Sequence, residues 1–219
     1  MKHKQMISIV VSFVLFFGLT LFVLAQDDPA EDRGAEKTHR SLKKLPSSIL
    51  HSLGLSEQEA AQSTRGPKLK VYMLGLDKLN AFKSGNNTKK VLVDTKETVY
   101  PIYVGKTLRT SISIRKGGGG WKNASMGGAE ILSLEPVRNT HSKAHNIDVK
   151  SYFIVRVPAM YLSFLGYNKG NDLYLIPVHK HPDLDLAIGK ALPADDVYIK
   201  IQPLVSKYHE VLKRSKRNR

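Results

Sequence analysis

Residues 98–126 constrain the fold most, because there local chemistry alone dictates how strands pair. Thr98-Val99-Tyr100-Pro101-Ile102-Tyr103-Val104 and residues 107–115 are both rich in β-branched and aromatic residues, and only Gly105-Lys106 separates them. Two linking residues beginning with glycine match a type II′ hairpin turn, whose first central residue needs positive φ. The second run alternates, with Leu108, Thr110, Ile112 and Ile114 on one side and Arg109, Ser111, Ser113 and Arg115 on the other. Such a period of two predicts a strand with one buried and one wet face. Pro101 has no N–H for a ladder, which predicts an edge strand or a bulge there. Lys116-Gly117-Gly118-Gly119-Gly120 then turns the chain, and residues 121–126 return as a third strand. Two consecutive hairpins make an antiparallel meander.

The rest of the chain is read around this meander. Residues 69–74 and 91–93 are strand candidates, separated by a short helix over 77–82 that Asp77 caps and Ser84-Gly85-Asn86-Asn87 stops. Residues 129–134 predict a helix, with Pro136 obstructing its continuation, and the polar stretch 137–149 leaves helix and loop both open. Residues 152–157 are apolar enough for a central strand. Residues 160–165 and 173–178 bracket a turn-rich loop over 166–171 and predict a further hairpin. From Ala194 onward, Val197, Ile201, Leu204, Val205, Tyr208, Val211 and Leu212 follow helical spacing and share one face. Asp195 and Asp196 begin this helix and basic residues end it, as the helix dipole favours, while Pro203 predicts a kink. Strands gathered in meanders and hairpins, with segregated helices and a C-terminal amphipathic helix, specify an α+β fold. Residues 71–104 and 153–178 each run strand, short element, strand, but share too few identities to establish a repeat.

Residues 1–25 read as a secretory signal peptide. A short basic start, Met1-Lys2-His3-Lys4-Gln5, precedes an uncharged apolar run over 6–24, and Val23-Leu24-Ala25 offers small residues for cleavage before Gln26. The same run, left uncleaved, is about long enough to anchor the chain in a bilayer. Either way the body is expected outside the cytoplasm, periplasmic or secreted. Residues 26–67 read as a flexible spacer with a short helical segment, since residues 26–40 contain no aromatic residue and no Val, Ile or Leu. Ser56 and Glu59 have capping-box spacing. One α+β domain is then expected over 68–212, followed by a basic tail over 213–219.

The chain has no cysteine, which excludes thiol nucleophiles, cysteine-based zinc sites and iron–sulfur clusters. Its formal charge is +15. Outside the cytoplasm, that charge points to anionic envelope surfaces or an acidic envelope protein as partner, and no nucleic acid is expected. Lys213, Arg214, Lys216, Arg217 and Arg219 are candidates for contact with an anionic surface, each base near lipid contributing about 1 kcal/mol. Membrane contact is expected through this tail or an uncleaved N-terminal segment.

The candidate metal ligands are His141, His145 and Asp148, whose spacing shares a helix face, and His179 with His181, which share one side of an extended segment. Imidazoles converging with a carboxylate suit a divalent metal. Ser142 stands where a zinc protease of the HExxH type has its glutamate. No Gly-x-Ser-x-Gly elbow is present, and the glycine run 117–120 lacks the Gly-Lys-Ser/Thr ending of a phosphate loop. No catalytic residue is identified and no cofactor is required. The leading expectation is a non-enzymatic exported binding module. The alternatives are a metal-binding protein or metal-dependent envelope hydrolase built on the histidine clusters, and a small-ligand carrier with a pocket between sheet and C-terminal helix.

Overall fold

The computed structural model describes residues 28–217, and side chains as far as Tyr208. The predicted signal segment, Arg219 and the side chains of Lys213, Arg214, Lys216 and Arg217 lie outside the described residues. Helices α1 (Pro29–Leu42), α2 (Ser47–Ser52) and α3 (Glu57–Gln62) lead into a two-residue strand β1 (Thr64–Arg65). Strand β2 (Leu69–Leu74) and the short helix α4 (Leu76–Asn80) precede the long strands β3 (Leu92–Val104) and β4 (Thr107–Gly117) and strand β5 (Gly120–Met126). Helix α5 (Ala129–His145) connects to β6 (Phe153–Val157), β7 (Leu162–Lys169) and β8 (Asp172–Pro177), and β9 (Leu192–Pro193) leads into α6 (Ala194–Arg217).

The strands form one sheet in the order β5-β4-β3-β2-β6-β7-β8-β9, with β1 paired to β3, and helices cover both faces in an α+β arrangement. Every pairing is antiparallel except the central one, where β2 and β6 run parallel with Val71 opposite Ile154 and Met73 opposite Arg156. From this pair two antiparallel meanders run outward in opposite directions. Residues 71–104 span β2 and β3 of one meander, whereas residues 153–178 span β6, β7 and β8 of the other.

The hairpins follow their turn chemistry. Val104 pairs with Thr107 across Gly105-Lys106, and only Gly105 has positive φ, at +59°, as a type II′ turn requires. Gly118-Gly119 closes the next hairpin. The loop expected over 166–171 is shorter, because β7 and β8 extend until only Gly170-Asn171 links them. Pro101 is not on an edge, because β3 lies between β4 and the β1/β2 side, but the β3–β4 register does shift beside it, between Ile102 and Tyr103. Its position still fits its missing donor. In an antiparallel strand a residue's N–H and C=O point the same way, and the Pro101 carbonyl accepts from Gly66 N in the break between β1 and β2. The expected wet face of β4 is also covered, since Ser111 and Ser113 are buried where the chain enters α5. Ser111 meets Gly128 there, and Ser113 hydrogen-bonds Ser125 at 2.8 Å. Helix α5 runs through Pro136, which forgoes one helical hydrogen bond, to the carbonyl of the half-exposed Leu132.

Alternation along the strands separates the two faces. Leu69 and Val71 of β2, Val99 of β3, Ile154 of β6 and Leu165 of β7 pack with Ile131 and Leu134 of α5. The intervening residues, Leu74, Val155, Val157 and Phe164, pack with Val197, Tyr198, Ile201 and Val205 of α6. On that second face, Tyr100, Ile102, Ile112 and Ile114 of β3 and β4 carry Ala35, Leu42, Leu50 and Leu55 from the N-terminal helices.

The expectation of a flexible spacer with a short helical segment over residues 26–67 is corrected for the described residues, because three helices lie within residues 29–62 and dock on the sheet. Residues 26–40 lack large aliphatics, yet Ala35 is fully buried and Gly34 lets α1 approach Trp121 so closely that a Cβ would lie 2.7 Å from that side chain. Polar burial supplies the remaining contact. Glu31 meets Lys68 at 3.4 Å and accepts from the Tyr100 hydroxyl, and His39 shares a 2.9 Å hydrogen bond with Ser63.

Ion pairs tie α5 to the sheet. Arg156 of β6 donates to both Glu130 oxygens and to Glu97, while Arg115 reaches the other Glu97 oxygen. Deeper under the helix, the fully buried Arg138 donates to Glu135 at 2.5 Å and to the Pro67 carbonyl at 3.2 Å, and the Tyr103 hydroxyl donates to the same Glu135 oxygen. Among the described residues, no helix is long and apolar enough to cross a membrane.

Candidate functional site

The N-terminal helices and α6 cover opposite halves of one sheet face, and between them the central strands are left open. This gap is a trough of about 980 Å³. Its floor follows from strand periodicity: Lys70 and Tyr72 of β2 point away from the α5 face, as does Phe153 of β6. Tyr72 and Phe153 meet edge to face with centroids 5.1 Å apart, and both are half-buried. Gly166 of β7 makes room for the Phe153 ring, since a Cβ there would lie 2.4 Å from it.

The walls are mostly cationic. Arg65 and Lys68 border the end near α1, where Arg65 pairs with Glu36 at 3.2 Å and sits 5.3 Å over the Tyr100 ring. Lys89 and Lys150 enter from the segments before β3 and before β6. Both are exposed, and their ammonium groups belong to no ion pair among the described residues. Asp32, Asp94 and Asp148 also line the trough.

Asp94 is placed by a bulge. Between Val71 and Tyr72 the β2–β3 register shifts, so that Val71 faces Glu97 and Tyr72 faces Asp94. Lys96 takes φ +57°, a left-handed conformation that is costly for a side chain with a Cβ. The Thr95 hydroxyl caps the Val71 carbonyl at 2.6 Å, repairing the ladder. The Asp94 carboxylate accepts from the Lys96 backbone N–H at 2.8 Å and from its ammonium at 2.6 Å. Partial burial pushes the Asp94 pKa up, but the hydrogen bonds and charge of Lys96, with Lys70 nearby, outweigh it and hold the carboxyl below its usual range. Burial and then the Asp94 charge raise the Tyr72 phenol, so its hydroxyl stays protonated and can donate. Asp148 forms a smaller turn of the same kind, accepting from Lys150 N at 2.9 Å.

The sequence-nominated metal ligands lie elsewhere or apart. His141 and His145 do share a face of α5, with ring centroids 4.2 Å apart. His141 Nδ1 is 2.8 Å from the Tyr152 hydroxyl, and burial, followed by repulsion from His145, lowers its pKa. Asp148 serves its own turn at the trough. His179 is exposed after β8, and His181 accepts from the Asp183 N–H at 3.2 Å. Among the described residues, no group of three or more His, Asp or Glu is placed to hold a metal ion. The pocket expected between sheet and C-terminal helix is filled by fully buried Val197, Tyr198, Ile201 and Val205.

Sequence reading missed Lys70, Tyr72, Lys89, Asp94, Lys150 and Phe153. One signal was available: Lys70 and Tyr72 alternate with the apolar residues of a strand whose hydropathy suits the sheet centre. No protein-family model matches the chain, and neither do any curated protein and any solved structure.

Proposed function

We propose that the protein is an exported, non-enzymatic binding module that holds an anionic ligand in the trough between its two helical layers. The observation that carries this reading is the pair of exposed lysines, Lys89 and Lys150, which have no ion-pair partner among the described residues and line the trough with Lys70, Tyr72 and Phe153. Ammonium groups without carboxylate partners among the described residues are available to an incoming anion, and a concave site floored by half-buried aromatic rings strengthens their attraction. Export rests on the N-terminal sequence, and the overall +15 charge suits an anionic envelope or extracellular environment.

The test separates the trough from bulk charge. The full chain and two triple variants, K70Q/K89Q/K150Q and K37Q/K106Q/K122Q, carry their charge changes inside and outside the trough respectively. On a phosphocellulose column, the trough variant is expected to elute at distinctly lower salt than the control variant. Coincident elution refutes the site. Export is tested by sequencing the N-terminus of protein recovered outside the producing cells, where a start at Gln26 is expected.

A further inference from the structure

We infer that the ligand of the trough is an acidic oligosaccharide, a chain of hydroxyl-bearing sugars with carboxylates at intervals. The inference rests on the anion-binding reading above and names its ligand class.

A site for a bare polyanion would be uniformly positive. This trough instead holds Asp94 among its lysines, and the fold accepts a left-handed lysine to keep it there. Bulges commonly re-aim side chains beside functional sites. The Asp94 carboxylate takes two hydrogen bonds from Lys96, one on each oxygen, which leaves each oxygen a lone pair for a further donor. It stays ionised in any ordinary buffer, so it can only accept. A ligand seated against it must bring N–H or O–H groups, and sugar hydroxyls are such groups. Asp148 offers the same beside Lys150, with one oxygen engaged by its own turn. The half-buried rings of Tyr72 and Phe153 give the apolar face of a sugar ring a surface to pack on. Lys70, Lys89 and Lys150 then meet the ligand's carboxylates. A single-stranded nucleic acid would also use rings and cations, but its phosphate at every residue would face Asp32, Asp94 and Asp148 in the lining.

Isothermal titration calorimetry of the full chain distinguishes these ligands through the sign of one substitution. The probes are a galacturonate hexasaccharide, the neutral maltohexaose, a deoxythymidine hexanucleotide and hexametaphosphate. The uronate is expected to bind, K70Q/K89Q/K150Q to abolish that binding, and maltohexaose to give no heat. Asp94→Asn is expected to weaken uronate binding about tenfold, because a charged acceptor becomes a neutral amide. Circular dichroism checks the fold of D94N, since among the described residues the Asp94 side chain hydrogen-bonds and ion-pairs with the exposed Lys96 alone. If D94N leaves uronate binding unchanged or tightens it, the assignment is overturned. If the nucleotide or hexametaphosphate binds through the trough lysines, more tightly than the uronate and more tightly still in D94N, the acidic-glycan assignment fails while the anion-binding reading stands. If no anion's binding responds to the trough lysines, both fail.

Discussion

Arg138→Met tests whether the buried charge under α5 matters as its geometry implies. Arg138 is completely buried and Glu135 is 2% exposed, so the pair is shielded from water. Methionine retains an apolar stem of similar reach, so lost packing contributes little. Glu135 would keep the Tyr103 hydroxyl at 2.5 Å and the Asn139 amide at 3.5 Å, with no cation. Removing one partner of a buried ion pair costs about 3–5 kcal/mol. The Pro67 carbonyl also loses its donor, adding about 1 kcal/mol. A total of about 4–6 kcal/mol would remove much of the roughly 5–15 kcal/mol stability of an ordinary domain. Urea unfolding followed by far-ultraviolet circular dichroism and by the single tryptophan, Trp121, reads the change as a lower midpoint with an unchanged slope. The double variant E135L/R138M carries no buried charge and should recover most of the loss. It stays short of the parent by about 1–3 kcal/mol, because the Tyr103 hydroxyl is left without its acceptor. A loss below about 1 kcal/mol in R138M, or a double variant less stable than R138M, would refute the reasoning.

Three further expectations follow from single positions. Burial, followed by Lys43, lowers the His39 pKa, and burial, followed by His145, lowers that of His141. Each then binds its proton more readily unfolded than folded, so their contribution is complete above the ordinary histidine pKa and falls away as pH drops through the lowered values. Chemical denaturation between pH 7.5 and 5 should show declining stability, with a shallower decline in H39Q/H141Q, and an equal slope would contradict this. Gly166→Ala should destabilise by about 1–3 kcal/mol, because its Cβ would lie within 2.4 Å of the Phe153 ring, and thermal melting measures it. Tyr161 is 93% exposed at φ +53°, so Tyr161→Gly should relieve left-handed strain and stabilise by about 0.5–1 kcal/mol, read as a raised urea midpoint.

What the sequence revealed divides by range of interaction. Gly105-Lys106 and the glycine run specified their hairpins because a turn's backbone demands are met within two residues. The apolar stripe of α6 was legible for the same reason, since period and caps are local. The parallel pairing of β2 with β6 was not, because nothing in either strand names a partner so distant in the chain. Helix α1 escaped notice because it docks through Gly34, Ala35, Glu31 and His39 rather than large aliphatics, and hydropathy scores such contacts as solvent-facing. The long strand β3 looked like two strands because Asp94, Thr95 and Lys96 break the alternation where the bulge lies. That bulge is also what carries Asp94 into the trough, so the feature that hid the strand hid the site.

The parallel pairing at the sheet's centre runs only from Val71 to Met73 against Ile154 to Arg156. It is a far shorter ladder than the long β3–β4 hairpin beside it. Among the ladders that join the long strands from β5 to β8 it is the shortest, so tension pulling the two meanders apart would load this seam. The trough lies across it, with Lys70 and Tyr72 on one bank and Lys150 and Phe153 on the other. A polymer gripped from both banks would act as a suture, and the protein would resist pulling best while holding its ligand.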